Sequence, residues 1–104
     1  MSNTKFEKAV AIVQGLPKGG PVKVSQEQQL EFYALYKQGT IGDVNTTRPG
    51  LLDFVGKAKW DAWKQLEGKS KEEAQKEYVE LLLKVLKASG TSEGEQLIKE
   101  IEEA

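Results

Sequence analysis

Ala74, Tyr78, Leu81, Leu82, Val85 and Leu86 form a continuous apolar stripe at helical spacing, opened by Ser70 and Glu73 and closed by Gly90. Ser70 and Glu73 make a capping box, in which each side chain satisfies a free backbone N–H at the helix entrance. A helix with so long a stripe must bury it against other elements, and that constraint dominates the chain's options.

The remaining segments agree with it. Phe6, Ala9, Val10 and Val13 fall at i, i+3, i+4 and i+7 and predict a first helix from about Asn3 to Gln14, broken by Gly15, Pro17, Gly19, Gly20 and Pro21. Ser25 with Gln28 is a second capping box. Behind it Leu30, Tyr33 and Lys37 share one spacing, Phe32 and Tyr36 share another, and Gly39 is the expected stop. From Thr40 to about Phe54 no period holds, and Gly42, Asp43, Asn45, Arg48, Pro49 and Gly50 are turn chemistry. The apolar residues of this long loop (Ile41, Val44, Leu51, Leu52, Phe54) are expected to pack it down. A third helix is predicted over roughly Gly56 to Leu66, with Trp60 and Trp63 one turn apart and Gly68 closing it. Thr91 to Ala104 is acidic, has a Ser92/Glu95 cap of its own, and reads as either a short extra helix or a frayed tail. Strand-like alternation and internal repeats are missing, so the fold class is all-α in a single small domain of 104 residues.

Several function classes fall away. Cysteine and histidine are both absent, which removes disulfides, thiolate ligands, cysteine nucleophiles and the usual proton shuttle. Gly90-Thr91-Ser92-Glu93-Gly94 matches the G-x-S-x-G pattern, but that pattern needs a strand-to-helix turn and a histidine, so a helix stop and cap is expected instead. Adjacent carboxylates such as Glu72/Glu73 and Glu102/Glu103 diverge around a helix. The chain is therefore expected not to be an enzyme and to hold neither metal nor cofactor. A net charge of −1 gives no field for nucleic acid. Met1 to Leu16 lacks a signal-peptide pattern and no membrane-length apolar run occurs, so a cytoplasmic monomer without stable membrane insertion is expected. The Asn45-Thr46-Thr47 sequon is discounted on the same ground. At least one of Trp60 and Trp63 is expected in the core, given the area an indole buries.

Tyr33, Tyr36 and Lys37 stand at i, i+3 and i+4, so two phenols and an ammonium share a helix face. On one helix alone this is a core-edge pair with a snorkelling lysine. Lys57, Lys59 and Lys64 form a second basic set on the tryptophan helix, and Tyr78 lies on the fourth. Were these to converge, phosphate would be their natural guest.

These residues also carry a resemblance. Tyr33-Ala34-Leu35-Tyr36-Lys37-Gln38-Gly39-Thr40-Ile41-Gly42-Asp43 resembles the YxxYKQATxGD signature of the acyl-CoA-binding protein family. Arg48-Pro49-Gly50 and Lys57-Ala58-Lys59-Trp60-Asp61-Ala62-Trp63 are similar to its RPG turn and KxKWDAW segment, in the same order and spacing. The resemblance runs from about Phe6 to Ser89 and implies an up-down-down-up four-helix bundle over residues 1–90, with 91–104 as an acidic extension. It implies non-covalent binding of long-chain fatty acyl-CoA, pool formation and transport, and transient contact with acyl-CoA-using enzymes. Tyr33, Lys37 and Lys59 would hold the adenosine 3′-phosphate, Tyr36 and Tyr78 would complete the nucleotide end, and Leu30 would line the acyl groove. Gln14 and Val55 stand where family members often carry lysines, Gln14 near the end of the first helix at a phosphate-contact position. The alternative is a helical interaction module whose groove takes a partner's amphipathic helix.

Overall fold

A computed structural model describes residues 4–17 and 19–104. The predicted helix start at Asn3 lies outside the described residues, as does Lys18 in the Pro17–Pro21 loop. Among the described residues five helices follow in order: α1 (Thr4–Gly15), α2 (Gln26–Thr40), α3 (Phe54–Lys64), α4 (Lys71–Ser89) and α5 (Ser92–Glu102). No strand occurs among the described residues.

The chain forms two compact units. The first joins Met1–Val24 to Lys76–Ala104. Its buried apolar residues include Phe6, Ala9, Ile12, Val22, Leu82, Val85, Leu86 and Ile101. On α1 the buried side is Phe6, Ala9 and Ile12, whereas Val10 and Val13 are only half-buried. The expected face was thus rotated by about one residue, within what a short apolar helix leaves undecided. Helix α5 packs on α1 within this unit. Lys5 donates to the carbonyls of Ile101 (3.3 Å) and Glu102 (2.8 Å), and Lys8 pairs with Glu100 at 3.1 Å. An ammonium at a helix C-terminus satisfies carbonyls that lack intrahelical donors and meets the negative end of the dipole. The segment after Gly90 is therefore a docked helix. Its N-cap is Thr91, whose Oγ1 accepts from the Gly94 N–H at 3.0 Å, and not Ser92 as the Ser92/Glu95 spacing suggested. Gly90 has φ 63°, the left-handed stop expected of it.

The second unit is Ser25–Gln75, in which α2 packs on α3. The Ser25/Gln28 capping box is complete: Ser25 Oγ accepts from the Gln28 N–H (3.1 Å) and Gln28 Oε1 from the Ser25 N–H (3.0 Å). Gly39 does not stop α2. It is buried inside the helix, which continues to Thr40. The turn comes at Gly42 (φ 101°), whose N–H returns to the Lys37 carbonyl at 3.2 Å. Helix α3 starts two residues earlier than expected because Asp53 caps it, accepting from the Gly56 N–H at 2.9 Å. A Cβ at Gly56 would collide with that carboxylate, which explains the glycine. Ser70 Oγ accepts from the Glu73 N–H at 3.1 Å at the entrance of α4.

The long loop between α2 and α3 is held in an unforeseen way. Ile41, Leu51, Leu52 and Phe54 remain exposed and only Val44 is half-buried, so apolar burial does little to pin it. Polar bonds do. Trp63 Nε1 donates to the Gly42 carbonyl (2.8 Å) and Trp60 Nε1 to that of Thr46 (3.0 Å). Arg48 grips Asp61 through two bonds of 2.9 Å, the bidentate geometry a guanidinium favours. Asp43 Oδ1 accepts from both Gln38 Nε2 and the Gly68 N–H, each at 2.9 Å.

Candidate functional site

Helix α2 owes its position to the Ser25 cap and to the buried row Phe32, Leu35, Gln38 and Gly39. Gln38 is fully buried, and its amide also donates to the Lys69 carbonyl at 2.7 Å. Gln75 Nε2 donates to the Gly39 carbonyl at 2.8 Å. These bonds fix the rotation of α2 and leave Leu30, Tyr33 and Lys37 half-buried at its margin. Helix α3 is fixed by Trp63, which is buried, and by the Arg48–Asp61 pair, with Lys59 left exposed.

Tyr33, Lys37 and Lys59 come together. The Lys37 ammonium lies 5.7 Å from the centre of the Tyr33 ring and the Lys59 ammonium 5.3 Å from the same ring. Lys37 is also 5.9 Å from the Trp63 ring. Such distances are within the range of cation–π attraction. Among the described residues no carboxylate lies within ion-pairing distance of either lysine. Two like charges gathered on one ring without a counterion make a ready anion site.

The other cations behave differently. Lys64 pairs with Glu67 at 2.8 Å, Arg48 is held by Asp61, and Lys57 lies 5.2 Å from the Phe54 ring. The predicted basic set of Lys57, Lys59 and Lys64 is thus divided, and Lys59 alone joins Tyr33. Tyr36 is half-buried on α2. Tyr78 and Gln14 belong to the first unit. Tyr78 is buried edge-on against Phe6, with ring centres 5.3 Å apart at 82°, and Gln14 is exposed near the end of α1. Of the two tryptophans, Trp63 is the core residue and Trp60 is half-buried.

Two carboxylates have altered acidity, both for structural reasons. The Gly68 N–H and then the Gln38 amide hold Asp43 below the usual carboxylate range. The Arg48 guanidinium does the same for Asp61 through hydrogen bonding and charge, while Asp61 raises Arg48. These shifts belong to loop staples and not to proton-transfer groups. Sequence reasoning passed over Gln38 and Asp61 as individuals and took Asp43 only as turn chemistry. The only signal was their place inside the signature blocks, which therefore encode scaffold as much as site. No cluster of three or more metal-ligating side chains occurs among the described residues, and no helix of the described chain is long and apolar enough to cross a membrane.

The fold and this cluster define an all-helical protein that gathers two ammonium groups on one tyrosine ring. Residues 3–82 match the family described as Acyl CoA binding protein. The chain belongs to the acyl-CoA-binding protein family, whose members are binding proteins. It is 54% identical over 78 residues to acyl-CoA-binding protein homolog 3 of Caenorhabditis elegans, covering 75% of this chain and 67% of that one. Acyl-CoA-binding domain-containing protein 5 of Xenopus tropicalis is 46% identical over 93 residues, 89% of this chain but only 20% of the relative. The chain thus spans two thirds of the first relative and a fifth of the second. The crystal structure of ACBP from Moniliophthora perniciosa, 60% identical, superposes with a TM-score of 0.97 and covers 100% of this chain and 98% of that one. Oryza sativa acyl-CoA-binding protein 2 gives 0.76 at 40% identity, covering 86% and 94%. The four-helix fold anticipated from the sequence is that of the family, and α5 is the short additional helix.

Proposed function

We infer that this chain binds long-chain fatty acyl-CoA non-covalently and serves as a pool former and carrier for it. The observation that carries the reading is the convergence of Lys37 and Lys59 on Tyr33, two uncompensated cations beside a phenol. Membership of the family and the names of the relatives support the choice of ligand, and they lend nothing to a groove that takes a partner helix.

In this reading Tyr33, Lys37 and Lys59 take the 3′-phosphate, with Tyr36 and Tyr78 at the nucleotide end. Leu30 begins the acyl groove, and Gln14 contacts the head group as a neutral hydrogen-bonding side chain. Residues 1–90 form the binding domain and 91–104 the extension. Burying about fourteen methylenes at ~0.8 kcal/mol each is worth at most roughly 11 kcal/mol. Association costs on the order of 4–15 kcal/mol, so the tail alone does not secure tight binding. Charge-assisted phosphate contacts add affinity and exclude simple fatty acids. The thioester meets no histidine or cysteine and is carried intact, in a cytoplasmic monomer that hands it to acyl-CoA-using enzymes.

Native mass spectrometry after incubation with palmitoyl-CoA tests this reading. A one-to-one adduct with the intact thioester is expected. Absence of an adduct contradicts binding, and release of free CoA contradicts a carrier without activity.

A further inference from the structure

Leu51, Leu52, Phe54 and Val55 stand within five consecutive residues and are 80%, 90%, 72% and 66% exposed. Single exposed apolar side chains are ordinary, whereas a contiguous group signals an interaction surface. The local backbone holds them out. Leu51 and Leu52 sit in the turn before α3, and Asp53 returns its N–H to the Gly50 carbonyl (3.1 Å) while its carboxylate caps the helix. Phe54 and Val55 then occupy the first helical turn. Lys57, one turn beyond Phe54, sets its ammonium 5.2 Å from that ring.

We propose that this apolar tip, with Lys57 beside it, is a reversible docking point for an anionic lipid surface. Size argues for lipid. Four such side chains offer on the order of a few hundred Å², short of the roughly 800 Å² per partner that a stable protein interface uses. A bilayer boundary asks for no shape complementarity, and binding there scales with the apolar area that enters. Charge agrees. Among the described residues Lys57 makes no direct ion pair; the carboxylate that feels its charge, Asp61, is already held bidentately by Arg48, and Asp53 is engaged as a cap. The Phe54–Lys57 pair suits a ring at the acyl boundary with its ammonium among lipid phosphates. In a two-fold contact between copies the same tip would bring Lys57 towards its own equivalent, a like-charge arrangement. The docking stands apart from ligand binding, although an amphiphilic cargo that partitions into bilayers gives it a use.

The test uses the full chain without acyl-CoA and sucrose-loaded vesicles of phosphatidylcholine, with and without phosphatidylserine, read by co-sedimentation. Binding to the anionic vesicles is expected, weaker on neutral ones and reduced by salt. Leu52→Glu lowers the partition coefficient roughly tenfold or more. Lys57→Glu weakens it about three- to tenfold, on anionic vesicles only. Circular dichroism confirms that both variants are folded. Failure of the wild-type chain to bind anionic vesicles overturns the proposal, as does undiminished binding by Leu52→Glu. A dimer in sedimentation equilibrium that Leu52→Glu dissolves assigns the tip to a second copy and overturns it as well. None of these outcomes bears on acyl-CoA binding.

Discussion

Lys59 on α3 holds its ammonium 5.3 Å from the centre of the Tyr33 ring on α2, with no carboxylate in ion-pairing reach among the described residues. Lys37 approaches the same ring at 5.7 Å. The relationship depends on α2 and α3 being locked in rotation, which the Gln38 and Arg48–Asp61 bonds accomplish. Scaffold and site are therefore coupled, and the predictions separate them.

Lys59→Ala removes an exposed cation that no fold bond uses. Acyl-CoA affinity is expected to fall by about 1.5–3 kcal/mol, the worth of a charge-assisted hydrogen bond. Tyr33→Phe keeps the ring and its cation contacts and deletes only the hydroxyl, so a smaller loss of about 0.5–1.5 kcal/mol is expected. Calorimetric titration measures both, and unchanged helical circular dichroism shows the fold intact.

Gln38→Leu tests the scaffold. It leaves the Lys69 carbonyl and Asp43 without their amide donor, at a cost of about 1–3 kcal/mol in stability. Urea unfolding reads this directly. An unchanged midpoint contradicts the stapling role.

Acid should weaken the second unit in a defined direction. Asp43 and Asp61 are held below their ordinary range in the folded state, so their stabilisation is present above the unfolded value and lost as pH falls through the folded values. Thermal midpoints are expected to hold from neutrality to about pH 5 and to drop below about pH 4. The double variant Asp43→Asn, Asp61→Asn starts lower at neutral pH and loses less on acidification.

Ile101→Ala probes the docking of α5 on α1. Ile101 is almost fully buried, and its truncation should cost about 2–5 kcal/mol. Acyl-CoA affinity below the unfolding transition should not change, because the proposed site includes no residue of α5. Chemical denaturation and titration of the same variant check the two halves.

Much of this architecture was legible because local signals are strong where helices begin. Ser25/Gln28 closed the box its spacing indicated, Ser70 supplied its half of the Ser70/Glu73 box, and the stripe on α4 buried Leu82, Val85 and Leu86. Asp53 and Thr91 were missed as caps because a single capping oxygen has no reciprocal partner three residues on to announce it. The loop was misread for a different reason. Leu51, Leu52 and Phe54 were expected inside on polarity alone, yet long-range polar bonds to Trp60, Trp63 and Asp61 hold the loop without them. For the site, Tyr33 and Lys37 were visible as one helix face. That Lys59, and not Lys57 or Lys64, joins them was implied by the resemblance alone, because how α3 is turned against α2 is not encoded by spacing within one helix.

The central claim is recognition of head and tail together, and titration calorimetry with palmitoyl-CoA, CoA and palmitate tests it most directly. One-to-one binding of palmitoyl-CoA is predicted, with CoA and palmitate each weaker by at least about tenfold, since each lacks one half of the contacts. Equal heats for the three ligands, or none for any of them, would contradict it.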